Sequence, residues 1–209
     1  MTPRPPASPI KSRKDTMRKI PTLFIRDPQN MRQVTREIHP DCQWVVDGEG
    51  IATLKYDGVC VMLSPSGNWW ARRGVKAGKA TPPNFVRVES DDVTGEVVGW
   101  EPIEQSAFAR WHADAVAWRD ESYGVLPWIA GTYELVGPKI NGNPEKVDGH
   151  HELRSHSGAS RLPGAPRDYD GLAAYLAGFP GEGIVWHHPD GQRMAKLKRR
   201  DFPAPQNKP

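Results

Sequence analysis

The sequence predicts an α+β fold built mainly from antiparallel strands. Three observations predict it. Short stretches rich in β-branched and aromatic residues recur, each closed by Gly, Pro, Asn or Asp. Two longer stretches space their apolar residues by three and four, as a helix with one buried face requires. Strand and helix signals do not alternate regularly, as a doubly wound parallel sheet would demand.

The elements follow in order. Residues 51–55 and 59–63 read as strands on either side of a Tyr-Asp-Gly break. Residues 69–73 form another, after a Ser-Gly-Asn turn. A helix is predicted over 105–120, where Phe108, Trp111, Ala115 and Trp118 share a face. Residues 131–136 alternate as a strand and stop at Gly137-Pro138. A second helix, 169–177, lines up Leu172, Ala173 and Leu176. Residues 183–187 and 194–198 flank Pro-Asp-Gly and read as a hairpin. No internal repeat occurs.

With 209 residues the chain suits one domain, or one with a small appendage. Hydrophobic residues make up 37% and charged residues 25%, a globular balance. No apolar run approaches the roughly 20 residues of a membrane span, so no membrane partner is expected. The N-terminus is basic but lacks the apolar segment of a secretory signal. Cys42 and Cys60 build neither a disulfide framework nor a CxxC zinc pair, so a reducing cytoplasm is the expected location. Residues 1–19 carry six basic side chains against Asp15 alone and read as a flexible tail. Residues 20–202 form the expected domain, and 203–209 a second flexible end. The formal charge of +3 is thus owed to the tail. A further basic cluster joins Arg193, Lys196, Lys198, Arg199 and Arg200, which suggests local anion binding.

Five motifs carry chemistry. Lys55-Tyr56-Asp57-Gly58 ends a strand on a lysine beside a tight turn. Arg72-Arg73-Gly74 follows, then Glu134 within Tyr133-Glu134-Leu135. Glu182-Gly183-Ile184-Val185-Trp186 enters a strand at an acid, and Lys196-Leu197-Lys198 sets two lysines on one strand face. Each alone is a common hairpin or surface pattern. In this order they resemble the motif series of the covalent nucleotidyltransferases, which include ATP-dependent ligases and capping enzymes. Gly99 to Ile103, the run from Glu134 through Ile140-Asn141-Gly142-Asn143-Pro144, and Glu182 to His187 narrow the resemblance. They are similar to the small RNA ligase family that contains the vertebrate 5′–3′ RNA ligase, over roughly residues 20–202.

That resemblance implies a nucleotidyltransferase domain of two antiparallel sheets with flanking helices, ATP in the cleft between them, and no OB-fold, since eleven residues follow Lys198. It implies RNA as the partner, ATP and Mg²⁺ as cofactors with Mn²⁺ as an alternative, and a monomer. Lys55 attacks the α-phosphate and carries AMP; neighbouring cations and a metal favour the neutral amine this needs. Lys196 and Lys198 neutralise phosphate charge. Glu182 holds the metal, and Glu134 takes the ribose hydroxyls. Asp57 and Gly58 shape the turn. Arg72 is favoured over Arg73 for nucleotide contact, because strand alternation sends the two to opposite faces. Arg73, His156 and Arg199 are candidates for the RNA or the nucleotide. Related ligases often carry Glu where this chain has Leu54, so adenine must be read by backbone groups at Leu54 or by another side chain. The rival readings are a DNA-sealing or GTP-using nucleotidyltransferase, and a non-catalytic RNA-binding module.

The remaining polar and aromatic residues have plainer readings. The two histidines of His151 to His156 are five apart rather than the four a zinc helix needs. His187 and His188 alternate faces as structural or surface groups. Trp69, Trp70, Trp111 and Trp118 fit packing, Trp186 packs near the fourth motif, and Cys60 reads as a buried small hydrophobe.

Overall fold

The computed structural model describes residues 17–92 and 94–203. In chain order the strands are β1 (Phe24–Asp27), β2 (Asn30–Ile38), β3 (Ile51–Lys55), β4 (Val59–Leu63), β5 (Trp69–Val75), β6 (Val86–Ser90), β7 (Val97–Pro102), β8 (Gly131–Val136), β9 (Glu152–Ser155), β10 (Gly183–His187) and β11 (Met194–Lys198). The helices are α1 (Gln43–Val46), α2 (Ala109–Tyr123) and α3 (Tyr169–Ala177). Strand pairing within the sheets is antiparallel, so the fold is α+β as the sequence predicts. The chain divides into two units. One holds residues 57–158 with 17–19 and a six-stranded sheet; the other holds 20–56 and 159–203 and a three-stranded sheet.

The six-stranded unit runs in the order β6-β7-β5-β4-β8-β9. Alternation sends Val61, Leu63, Ala71, Tyr133 and Leu135 to one face, where Ile103, Ala115 and Ile140 complete a core. Burying each of the Val, Leu and Ile side chains contributes about 1.5–3 kcal/mol. The opposite face buries Met62, Trp70 and Trp100, with Met17 and Cys60 packed against them. Helix α2 starts and ends later than the predicted 105–120. Residues Ile103–Gln105 form a 3-10 turn, and Ser106 is extended at ψ 150°, so the helix cannot run through it. It stops at Gly124, whose φ of 80° ends α-helical geometry.

Residues 1–16 and 204–209, most of the two expected tails, lie outside the described residues. Composition groups residues 17–19 with the first tail, yet Met17 and Lys19 have partners in this unit. Arg72 donates to the Met17 carbonyl, and the Lys19 N–H donates to Glu89. A methionine among charged residues leaves no periodic signal from which this could be read.

In the three-stranded unit β10 lies between β3 and β11. Ala52, Ile184, Trp186, Ala195 and Leu197 bury one face with Leu172 and Leu176 of α3 and Phe24 of β1. The outer edge of β11 is covered by a bonded segment: Leu23 N–H donates to Lys196 O (2.8 Å) and Lys196 N–H to Pro21 O (3.0 Å). Asp168 caps α3 by accepting from the Gly171 N–H at 2.8 Å.

Candidate active site

The polar face of the three-stranded sheet follows from register. Gly183 pairs with Lys55 on one side and Lys198 on the other; Val185 pairs with Thr53 and Lys196. Cross-strand partners share a face, so Lys55, Lys196 and Lys198 all project to the side opposite the core. Gly183 is the centre of the first row. A Cβ there would stand 2.1 Å from the Leu197 carbonyl oxygen, so the position admits no side chain. The preceding residue supplies the anion: Lys55 Nζ donates to Glu182 Oε2 at 2.5 Å, and Lys198 Nζ lies 2.5 Å from Oε1. Arg200 adds a third cation at 3.8 Å.

Burial works to raise the Glu182 pKa, but Lys55 and Lys198 outweigh it and hold the carboxyl below its ordinary value. Lys196 is pushed down to about 8, first by burial and then by Lys198 and Lys55. Buried Asp201, which sequence reasoning missed, fixes the end of β11. It accepts from Lys198 N–H at 2.8 Å and from Arg26 at 2.8 Å. Arg199 turns to the Phe179 carbonyl at 3.3 Å. Leu54 faces away from Lys55 into the core, and its N–H is bonded to Ser160 O at 2.9 Å. Trp186 is likewise wholly buried on the core side.

The six-stranded unit carries its own polar row. Glu134 pairs with Cys60 on β4 and Arg154 on β9. Arg72 follows Ala71, the partner of Val61, so alternation puts it on this same face, stacked over Trp100. Arg73 belongs to the other face, 3.6 Å from buried Glu101. Glu134 Oε1 accepts from the Gly58 N–H at 3.0 Å, and Oε2 lies 2.9 Å from His156 Nε2. Gly58 has no room for a Cβ, which would meet Leu135 O at 2.3 Å. The Asp57-Gly58 turn is held by residues that spacing does not reveal. Glu145 accepts from Asp57 N–H (2.9 Å), and Asn141 donates to Asp57 Oδ1 and Gly58 O (3.1 Å each). Glu145 is in turn held by Arg154 at 2.7 Å. Asn141 has a left-handed φ of 48°, a conformation asparagine tolerates better than most residues. Its place in the Ile-Asn-Gly-Asn run was the one available signal.

No protein-family model and no curated protein matches this chain.

Each unit thus gathers candidates from distant parts of the sequence. Lys55, Glu182, Lys196 and Lys198 come together in one, and Asp57, Gly58, Arg72, Glu134 and His156 in the other; the Arg73 side chain lies on the opposite sheet face, and Arg199 bonds Glu182 O through its backbone N–H at 2.9 Å while its side chain turns to Phe179. Cys60 is half-buried beside Glu134 rather than a fully buried hydrophobe. The His151 to His156 segment is strand β9 and its flanks. His151 goes to Asp114 at 2.6 Å and His156 to Glu134, so the two histidines serve different partners.

Proposed function

We propose that this chain is an ATP-dependent RNA ligase of the covalent nucleotidyltransferase type, with Lys55 as the nucleophile. One observation carries the reading: a strand-end lysine and a second lysine two strands away share one partly buried carboxylate, Glu182, with a third lysine on the same face. Simple surface lysines do not need such an arrangement, whereas phosphoryl transfer does. It requires a nucleophile, fixed cations for the phosphates, and an oxygen ligand.

In the proposed first step Lys55 Nζ attacks the α-phosphorus of ATP. A P–N bond forms, the bond to the bridging oxygen breaks, pyrophosphate leaves with the electron pair, and the amine proton passes to solvent. Lys55 gains a lone pair only on losing a proton; the neutral amine can then attack while one of its N–H groups still donates to Glu182. A carboxylate whose two oxygens each face a lysine amine fits Mg²⁺, which takes one or two carboxylates and keeps several waters. When bound, Mg²⁺ would supply charge neutralisation at the phosphates. Lys196 and Lys198 neutralise charge that grows on the leaving group. Glu134 is the carboxylate proposed for the ribose hydroxyls, since it can accept two hydrogen bonds. Transfer of AMP to an RNA 5′-phosphate and displacement of AMP by a 3′-hydroxyl complete the ligation.

The test is incubation with each α-labelled nucleoside triphosphate and Mg²⁺, then a denaturing gel and mass spectrometry. One AMP on Lys55 is expected. A GMP adduct would move the reading to a GTP-using enzyme, and no adduct on Lys55 would overturn it. Glu182→Ala is expected to slow adduct formation by about 100-fold or more. Near-normal labelling of a folded Glu182→Ala protein would remove Glu182 from the chemistry.

A further inference from the structure

Cys60, Glu134 and His156 form a constellation of a different kind. Cys60 and Glu134 are register partners on β4 and β8, so their side chains stand side by side. His156 follows β9 and brings Nε2 to 2.9 Å from Glu134 Oε2. The Cys60 sulfur, a Glu134 oxygen and a His156 ring nitrogen all lie within 4.8 Å of one another. Ligand atoms around a tetrahedral ion with bonds of about 2.0–2.3 Å stand about 3.3–3.8 Å apart, so side-chain shifts of about 1 Å close the set.

The surroundings favour such closure. His156 Nδ1 meets Thr132 Oγ1 at 2.9 Å, and His156 N–H bonds to Thr132 O at 3.1 Å, so ring and backbone are both anchored. A hydroxyl can donate or accept. Thr132 can therefore hold the ring with Nε2 protonated toward Glu134, or with Nε2 bare toward an ion, which is the support a metal-bound histidine needs.

We propose that Cys60, Glu134 and His156 bind a divalent ion of the zinc class through three protein ligands, with a fourth position left for water or a small ligand. The thiolate and imidazole select a borderline-soft ion over Mg²⁺, which prefers oxygen alone. Binding forms the sulfur–metal bond and releases the thiol proton to solvent. An ion here would also claim the Glu134 oxygen that His156 now holds.

The whole protein, stripped of metal, is titrated with Co²⁺ as a spectroscopic probe. A one-to-one thiolate-to-cobalt charge-transfer band is expected, bleached by added Zn²⁺, absent in Cys60→Ser, and shifted to about tenfold weaker binding or more in His156→Gln. Cys42 cannot supply the sulfur: it is wholly buried in the other unit, and burial pushes its thiol up to about 12. A second measurement needs no variant. Alkylation of Cys60 in the native protein, followed by mass spectrometry, is expected to slow when Zn²⁺ is present. No band, an undiminished band in Cys60→Ser, or equal alkylation with and without Zn²⁺ would each overturn the site. None of these readouts depends on adduct formation at Lys55, so the ligase reading can fail or stand separately.

Discussion

Gly58 and His112 show how much single residues decide here. The Gly58 N–H reaches Glu134 only because nothing separates the turn from β8; a methyl group would stand 2.3 Å from the Leu135 carbonyl oxygen. Gly58→Ala is expected to cost about 1–3 kcal/mol, as overpacking does, seen as a lower denaturant midpoint with the slope unchanged. His112 is buried against Trp69, with ring centroids 4.6 Å apart and Nε2 unpaired. Burial pushes its pKa down to about 4 from the ordinary 6.5. The unfolded chain therefore binds the extra proton between these values and the folded chain does not, so stability falls as pH drops from 6.5 towards 4. His112→Phe should flatten that slope, read from unfolding midpoints across the window. An unchanged slope would place the acid sensitivity elsewhere. Lys196 works at the opposite end. Its folded value of about 8 lies below the ordinary 10.5, so the penalty of keeping it charged is present below 8 and is relieved as pH rises to 10.5. Lys196→Met should stabilise the protein at neutral pH, and the gain should vanish in that alkaline range.

Elements were legible where pattern and packing coincide. Strands 51–55, 59–63, 131–136 and 183–187 and helix 169–177 have the bounds the sequence predicts, because β-branched runs or a single apolar stripe meet a core there. Strands β1, β2 and β9 and helix α1 left no such signal, whereas β6 and β7, with Val86, Val88, Val97 and Val98, carry one that the predicted elements omit. β2 reads Asn-Met-Arg-Gln-Val-Thr-Arg-Glu-Ile with Val34 alone buried, and its pairing with β1 is irregular. β9 is the polar Glu-Leu-Arg-Ser, held by its pairing with β8 rather than by propensity. The lysines and acids of the site could be listed from motifs, and alternation alone separated Arg72 from Arg73. Their supports could not, because Asn141, Glu145, Arg154 and Asp201 act over long separations that only the fold closes. Strand β11 gives the test. Asp201→Ala removes a buried carboxylate from Arg26 and from the Lys198 N–H, and should cost about 3 kcal/mol, the low end for broken buried pairs because Arg26 is partly exposed. It should also loosen Lys198 and, on the proposed function, raise the KM for ATP. An unaltered midpoint would show that β11 is fastened by its edge contacts instead.

At the scale of the whole molecule, the two chemical halves of the proposed ligation can be separated. In the proposed reaction Lys55 is the nucleophile only of the first step; sealing of RNA that already carries 5′-AMP would need charge stabilisation and positioning. Lys55→Ala is therefore expected to fail with ATP and 5′-phosphorylated RNA but to retain sealing of pre-adenylylated RNA. Gel assays of both substrates at matched protein and salt decide this. Sealing of ordinary phosphorylated RNA at the native rate would remove Lys55 from its role, and joining of DNA nicks alone would replace RNA with DNA as the partner. The division into units has one more consequence, for synthesis. The unit that holds Lys55 is interrupted by more than half of the described chain, and Lys55 meets Glu182 across 127 residues of sequence. The inserted segment leaves the ribosome nearly whole and can assemble while translation continues. The lysine's own sheet must wait for β10 and β11, so Lys55 finds Glu182 only after the whole inserted segment has been made.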